Sequence, residues 1–298
     1  MFNHLLVPLD GSNLAEATLP VALSMAKILH APVTLLHIIE QDAASVVHND
    51  RHLTTSAEAQ EYLEHVKQTF FPKSVQVDTH IHTAPVTDVA KSIIDHARQE
   101  FQPDLILLCS HGKGGMRDIL VGSIAQQVAA LGGTPVLLIK PGQETSPFEL
   151  KRILVPLDNE SNHDQALPFA EFLAKSFHAQ LDLVCVIPTL VTDSGAHAAA
   201  GTMLPTTASA YLDIAEEIAE EHFQEHLDDF GEKGIQASAT IRRGDPAGVI
   251  VKEAENQGVD IILFGTHGRA GLDAFWNRSV TATVAKKTQI PLLLIPLS

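Results

Sequence analysis

The stretch from Asp104 to Ala125 reads DLILLCSHGKGGMRDILVGSIA. It begins with a short apolar run, Leu105 to Leu108, of the kind found in strands that are buried on both faces. A small, polar, glycine-rich segment follows, and Gly122-Ser123 then precedes a helical pattern. This order is the general plan of a phosphate cradle, because free backbone N–H groups and the helix dipole face the anion. The alternative is a tight strand-to-helix turn that binds nothing.

Strands and helices alternate through the first half of the chain. Apolar or alternating segments at His4 to Asp10, Val33 to Ile39, Val75 to His82 and Pro135 to Lys140 are predicted strands. Helical patterns lie between them, for example at Asp88 to Phe101. This alternation predicts an α/β fold, in which a parallel sheet is covered by helices on both faces.

The same order of segments then starts again. The motif LVPLD at residues 6–10 recurs at 154–158, and Pro20 recurs as Pro168, each 148 residues later. A proline inside a helix costs about 3 kcal/mol, so its recurrence at one offset argues against chance. The repeat therefore indicates two copies of one domain.

The repeat sets the expected domain limits. We predict a first domain at 1–140, a linker at 141–151 and a second domain at 152–298. Each domain ends on a short apolar strand, Val136 to Ile139 and Leu292 to Ile295. Since an open strand edge invites pairing, these two strands are expected to pair with each other.

Composition and charge exclude several classes of partner. The formal net charge of −16 argues against nucleic acid, which needs a basic face. No apolar stretch approaches membrane-spanning length, and no signal peptide is apparent, so we expect no membrane partner. The two cysteines, Cys109 and Cys185, lie in apolar strand patterns rather than a disulfide framework, which favours a reducing cytoplasm.

Each half resembles the universal stress protein domain. The marks are VPLD at 7–10 and 155–158, the turns SHG at 110–112 and THG at 266–268, and the proline-led last strands. The resemblance implies two tandem flavodoxin-like (adenine nucleotide alpha hydrolase-like) domains, each with a five-stranded parallel sheet between helices. One branch of this family binds ATP through the motif G-x-x-G-x9-G-[ST], and another branch lacks the motif and does not bind ATP.

The first half departs from that motif at one position. Cys109 replaces the first glycine, whereas Gly112, Gly122 and Ser123 match. Cys109 stands at the end of a predicted strand, where a small side chain can be accommodated. The first half is therefore the expected ATP site.

The second half departs at a more damaging position. Gly265 and Gly268 match, but Arg278 stands where the third glycine belongs, just before Ser279. The Cβ of Arg278 would block the approach of a phosphate, or its guanidinium would fill the pocket or act as a donor. A second ATP site is therefore doubtful.

The resemblance assigns roles to residues in both halves. Strand-end residues line the adenine and ribose, Ile38 offers backbone contacts to the base, and the glycine loop holds phosphates, with Ser123 as a phosphate or Mg²⁺ ligand. Asp10 and Asp158 have an alternative role as helix caps. The implied contacts in the first domain are Pro8, Leu9, Asp10, Ile38, Cys109, His111, Gly112, Gly122, Ser123 and Ile124. The counterparts in the second are Pro156, Leu157, Asp158, Val186, Gly265, His267, Gly268, Arg278 and Ser279.

Two histidine pairs are the candidates for a metal site. His80 and His82 share a strand face, and His222 and His226 share a helix face. Neither pair has a third ligand that the sequence identifies, so no metal site is predicted. No nucleophile, base and orienting acid can be assembled either, so no catalytic residue is predicted.

Three functions remain open. The leading one is a cytoplasmic stress-response protein that binds ATP with Mg²⁺ as a regulatory ligand, forms a homodimer and has protein partners of unknown identity. The second is a nucleotide-independent interaction scaffold. The third is a slow ATPase, although no general base is visible, so enzyme activity is left uncertain.

Overall fold

A computed structural model describes residues 1–42, 46–47, 50–110, 122–142, 147–158, 163–189, 205–267 and 279–297. The described residues divide into two compact units. The first contains residues up to Glu149 together with Pro291–Pro296, and the second contains residues from Leu150 to Thr266 and from 279 to Ile290. The predicted domain limits at 1–140 and 152–298 remain a prediction.

The first unit is built on a parallel sheet. Its strands are β1 (Leu5–Pro8), β2 (Val33–Glu40), β3 (Val46–Val47), β4 (Asp50–Arg51), β5 (Val77–Val86), β6 (Leu105–Cys109) and β7 (Val136–Ile139). The main sheet has the order β5-β2-β1-β6-β7 with all of these pairs parallel, while β3 and β4 pair separately and antiparallel. All five residues of β6 are buried, as its apolar run predicts.

Helices join the strands of the first unit. They are α1 (Asn13–Glu16), α2 (Leu19–Leu29), α3 (Ser56–Phe70), α4 (Val89–His96) and α5 (Ser123–Leu131). The carboxylate of Asp88 caps α4 by accepting a hydrogen bond from the N–H of Lys91. Helix α4 then continues as a π-helix, Ala97–Phe101, so the helix predicted at 88–101 is present with a wider last turn.

The second unit repeats this plan. Its strands are β8 (Arg152–Leu157), β9 (Gln180–Ile187), β10 (Ala237–Arg243) and β11 (Ile261–His267), in the parallel order β10-β9-β8-β11. Its helices are a 3-10 turn at His163–Ala166 and then α6 (Leu167–Phe177), α7 (Pro205–Glu232), α8 (Pro246–Gln257) and α9 (Val280–Lys287).

The repeated prolines lie at the starts of helices, whereas the sequence pattern suggested that they lie inside helices. Pro20 lies in the first turn of α2, and Pro168 lies in the first turn of α6. At that position proline lacks only an N–H that a helix leaves unbonded, so the cost of an interior proline does not arise. The repeated proline therefore marks where each helix begins.

The last strand, β12 (Leu292–Leu297), pairs antiparallel with β7. Leu292 lies opposite Leu138, and Leu294 lies opposite Val136. The expected pairing of the two last strands is thus confirmed. It also explains why residues Pro291–Pro296 group with the first unit.

Both cysteines, Cys109 on β6 and Cys185 on β9, are buried, and neither forms a disulfide. Their lack of a disulfide agrees with the expectation from the sequence. Among the residues that the structure describes, no helix has both the length and the apolar character needed to cross a membrane.

Candidate functional site

The candidate nucleotide site of the first unit lies at the carboxyl edge of its sheet. Strand β1 lies between β2 and β6, and Pro8 is level with Leu36 of β2. Because parallel strands end at the same edge, Leu9, Asp10 and Cys109 follow or end neighbouring strands there. This is the edge at which open α/β sheets bind ligands.

The backbone of Ile38 is oriented as a base contact would require. The carbonyl oxygen of Leu36 accepts a hydrogen bond from the N–H of Leu9. Backbone groups two residues apart on a strand point the same way, so the N–H and C=O of Ile38 also point toward β1. Since β1 ends at Pro8, they point past the end of that strand.

Asp10 organises the turn after β1. One oxygen of its carboxylate accepts hydrogen bonds from the N–H of Ser12 at 2.9 Å and from the hydroxyl of Ser12 at 2.6 Å. Ser12, not Asp10, caps α1 by accepting a hydrogen bond from the N–H of Ala15. Asp10 therefore holds the N-cap residue in place and is not itself the cap. Its Oδ1 accepts both of these hydrogen bonds.

Helix α5 begins at this same edge, because it connects β6 to the parallel strand β7. Its N-cap is Gly122, with φ −59° and ψ 149°, and no side chain of the described residues caps the helix. Ser123 and Ile124 are exposed at the first two helical positions. Four backbone N–H groups at such a helix start have no partner within the helix. The predicted contacts His111 and Gly112 lie outside the described residues.

The corresponding edge of the second unit differs at its helix start. Leu157 is level with Cys185, and Val186 follows on β9 as Ile38 does on β2. Ser279 caps α9, and its hydroxyl oxygen accepts a hydrogen bond from the N–H of Ala282 at 3.1 Å. The hydroxyl of Ser279 is thus used within the helix. Asp158 is exposed, whereas Leu157 before it is buried.

Gly265 has a packing explanation. A Cβ at this position would lie 2.9 Å from Cδ1 of Leu297, so the glycine makes room for that side chain. The side chain of His267 and the whole of Gly268 and Arg278 lie outside the described residues, and their predicted roles stay predictions.

Two buried titratable groups near the first edge escaped the sequence analysis. The Nδ1–H of His37 donates to the carbonyl oxygen of Leu9 at 2.8 Å, and burial lowers the pKa of His37. Lys140 follows β7 and is 1% exposed, and burial lowers its pKa to about 8. The sequence held one sign that Lys140 is unusual. The equivalent position of the second domain is Pro296 and not a lysine.

The histidine pairs gain further ligand-type neighbours in the fold. The β5–α4 cluster joins His80 and His82 to His96 and Glu100. Burial is the main cause that lowers the pKa of His80, and the charges of His96 and His82 act in the same direction while Glu100 opposes them.

The α7 cluster joins His222 and His226 to Asp164. The sequence revealed both histidine pairs but not the carboxylate that lies beside each pair. Glu100 and Asp164 reach these histidines only through packing of separate segments.

The comparisons with known proteins agree with the repeat. The family model of the universal stress proteins matches residues 1–140 and again 149–296. The universal stress protein YxiE of Bacillus subtilis is 27% identical over 152 residues, which cover 47% of this chain and 100% of that protein.

Longer relatives match the whole chain. A universal stress protein of Mycolicibacterium smegmatis is 22% identical over 98% of this chain and 96% of its own. The crystal structure of a universal stress protein from Archaeoglobus fulgidus superposes with a TM-score of 0.68 at 18% identity, covering 100% of this chain and 97% of that one. The fold is therefore shared along the whole of this chain.

Proposed function

The chain belongs to the universal stress protein family, with two copies of the family domain in tandem, and from this we propose that it binds ATP as a regulatory ligand, mainly in its first domain. The observation that carries the proposal is the start of helix α5. Its first backbone N–H groups, which no side chain of the described residues caps, lie at the carboxyl edge of the sheet. Ile38 offers its backbone groups at the same edge.

The chemistry of this edge suits a nucleotide better than another anion. Backbone N–H groups and the positive end of a helix dipole favour phosphate. The backbone N–H and C=O of Ile38 supply one donor and one acceptor, which match the edge of an adenine base. The buried cation Lys140 adds positive charge to a chain whose net charge is −16.

The preference for the first domain follows from the two helix starts. Ser123 stands inside α5, whose cap is Gly122, whereas Ser279 caps α9 with its own hydroxyl. A phosphate at α9 would have to displace that hydrogen bond. Arg278 precedes Ser279 in the place where the first domain has Gly122.

The test is thermal melting with and without Mg-ATP. At a concentration one hundred times the dissociation constant, mass action adds roughly 2.7 kcal/mol to the stability of the domain that binds. For a domain of this size that raises the melting temperature by roughly 5–20 °C. No shift at saturating Mg-ATP would leave the interaction scaffold as the function.

A matched pair of variants locates the site. Gly122→Arg copies Arg278 into the first domain, and the φ of Gly122 suits any residue, so the fold should survive. This variant should lose most of the ATP shift, whereas Arg278→Gly should keep it or add a second binding event. A shift that survives Gly122→Arg but disappears in Ser279→Ala would place ATP in the second domain.

Phosphate release separates a ligand from a substrate. A regulatory ligand stabilises the protein without steady release of phosphate over hours. Steady release that Gly122→Arg abolishes would identify a slow ATPase instead. A cytoplasmic location, a homodimer and protein partners belong to the same proposal, and light scattering after size-exclusion chromatography tests the dimer.

A further inference from the structure

The β5–α4 cluster has the composition and spacing of a metal site, and its residues have no role in the proposed nucleotide site. We propose that His80, His96 and Glu100 bind a divalent transition-metal ion of the zinc class. The ligand atoms of these three side chains all lie within 4.8 Å of one another.

The distances between donor atoms suit a shared metal better than direct hydrogen bonds. Nδ1 of His80 lies 3.5 Å from Oε1 of Glu100, and Nε2 of His96 lies 3.7 Å from Oε2 of the same carboxylate. Both distances exceed the range of about 2.7–3.2 Å for N–H···O hydrogen bonds. Tetrahedral zinc with bonds of about 2.0–2.1 Å separates its ligands by about 3.3 Å. The two histidine–carboxylate separations lie within a few tenths of an ångström of that value, and a bound ion would draw the three ligand atoms together from separations of up to 4.8 Å.

His96 is already oriented as a metal ligand. Its Nδ1–H donates a hydrogen bond of 2.7 Å to the carbonyl oxygen of Ser92, one turn earlier in α4. This bond fixes the ring and leaves Nε2 as the nitrogen that faces Glu100. A histidine ligand is held in the same way in metal proteins, where its second nitrogen donates to a carbonyl or carboxylate.

The donor set selects the class of metal. Two imidazoles and one carboxylate suit zinc, copper, iron or nickel, whereas magnesium and calcium require oxygen ligands. With three protein ligands, tetrahedral zinc keeps one position for water or another small ligand. His96 and Glu100 also line a cavity of about 680 Å³ whose other walls include Asp88 and Asp95. The cavity gives an ion a path of entry and room for that fourth ligand.

The α7 cluster provides an internal comparison. There Nε2 of His222 lies 3.2 Å from Oδ1 of Asp164, which is a direct hydrogen bond. Asp164 thus already serves His222 as a partner. A metal would have to break that bond, so the β5–α4 cluster is the better site of the two.

The test is zinc binding to the metal-free, tag-free full chain, measured by calorimetry, with Co²⁺ absorption as a second readout. All variants are also made in His222→Asn protein, which removes a donor from the α7 cluster. Glu100 is 48% exposed at its side chain, so Glu100→Gln should fold normally. The matched control is His65→Asn, an exposed histidine on α3 of the same unit.

We expect His222→Asn protein to bind one zinc ion, and a large excess of Mg²⁺ to leave it bound. Adding Glu100→Gln or His80→Asn should weaken binding at least about a hundredfold, since even an outer partner of a ligand is worth 10–100-fold. His65→Asn should change nothing. The proposal is overturned if His222→Asn protein binds no zinc, if Mg²⁺ displaces the zinc, or if Glu100→Gln and His80→Asn both leave the affinity unchanged.

Discussion

The ring of His37 donates a 2.8 Å hydrogen bond from Nδ1 to the carbonyl oxygen of Leu9, which ties the second strand to the turn after the first. Burial lowers the pKa of His37, so the folded protein binds a proton there less readily than the unfolded chain. The resulting stability is present above the ordinary histidine pKa of about 6.5 and is lost as the pH falls below it. The free energy of unfolding should therefore decrease between pH 7 and pH 5.

His37→Asn tests this contribution. Asparagine keeps a donor near the position of Nδ1 but does not titrate, so its free energy of unfolding should fall less steeply over the same pH range. Urea unfolding at a series of pH values measures both slopes, and the remaining histidines are present in both proteins. Parallel slopes would contradict the role of His37.

A second prediction concerns Lys140, whose pKa burial lowers to about 8. At pH 7 the buried charge of Lys140 lowers the free energy of unfolding, because the unfolded chain binds this proton more tightly. The free energy of unfolding should therefore rise as the pH increases from about 8 toward the ordinary lysine pKa of about 10.4. Lys140→Met keeps the apolar stem and removes the charge. It should raise the free energy of unfolding at pH 7 by up to about 3 kcal/mol, and a lower melting temperature than that of the unmodified protein would refute the prediction.

The two serines at the helix starts should respond differently to alanine. Ser279→Ala removes the cap of α9 and should cost about 1 kcal/mol of stability. Ser123→Ala removes no cap and should cost less than about 0.5 kcal/mol, yet weaken the thermal shift with Mg-ATP. Melting curves of both variants, with and without Mg-ATP, measure the stability of each variant and its thermal shift with Mg-ATP. Equal losses of stability in the two variants would show that the helix starts are equivalent.

The repeat also places two different polar pairs at matching positions. In the second unit, Nε of Arg152 lies 3.0 Å from Oδ2 of Asp182, which is 1% exposed. In the first unit the hydroxyl of Thr34 donates to Nε2 of His4 at 2.8 Å.

Removing one partner of a buried ion pair costs more than losing a neutral hydrogen bond. Asp182→Ala should therefore destabilise by roughly 2–4 kcal/mol, allowing for the partial exposure of Arg152. Thr34→Val should cost only about 1 kcal/mol. Chemical unfolding of the two variants compares them directly, and a smaller loss for Asp182→Ala would argue against the ion pair.

Much of the fold was predictable because it depends on local patterns. The apolar runs that became β1, β2 and β6 stand between clear turn signals, and the repeat supported each assignment twice. The pairing of β7 with β12 followed from the open edges of two short strands.

What the sequence did not reveal depends on contacts between distant segments. His96 and Glu100 are four residues apart, but their approach to His80 is set by how α4 packs on β5. The burial of Lys140 has the same origin, since it depends on the neighbours of β7. Asp10 and Ser12 both suit a cap, and only the turn geometry separates their roles.

The antiparallel pairing of β12 with β7 has a consequence for synthesis of the chain. Leu138 leaves the ribosome long before its partner Leu292 has been made. During that interval β7 presents an open apolar edge, which another nascent or misfolded chain can pair with. The first domain therefore stays vulnerable to aggregation until the last strand emerges, and slow translation or early termination of the second half would expose it longest.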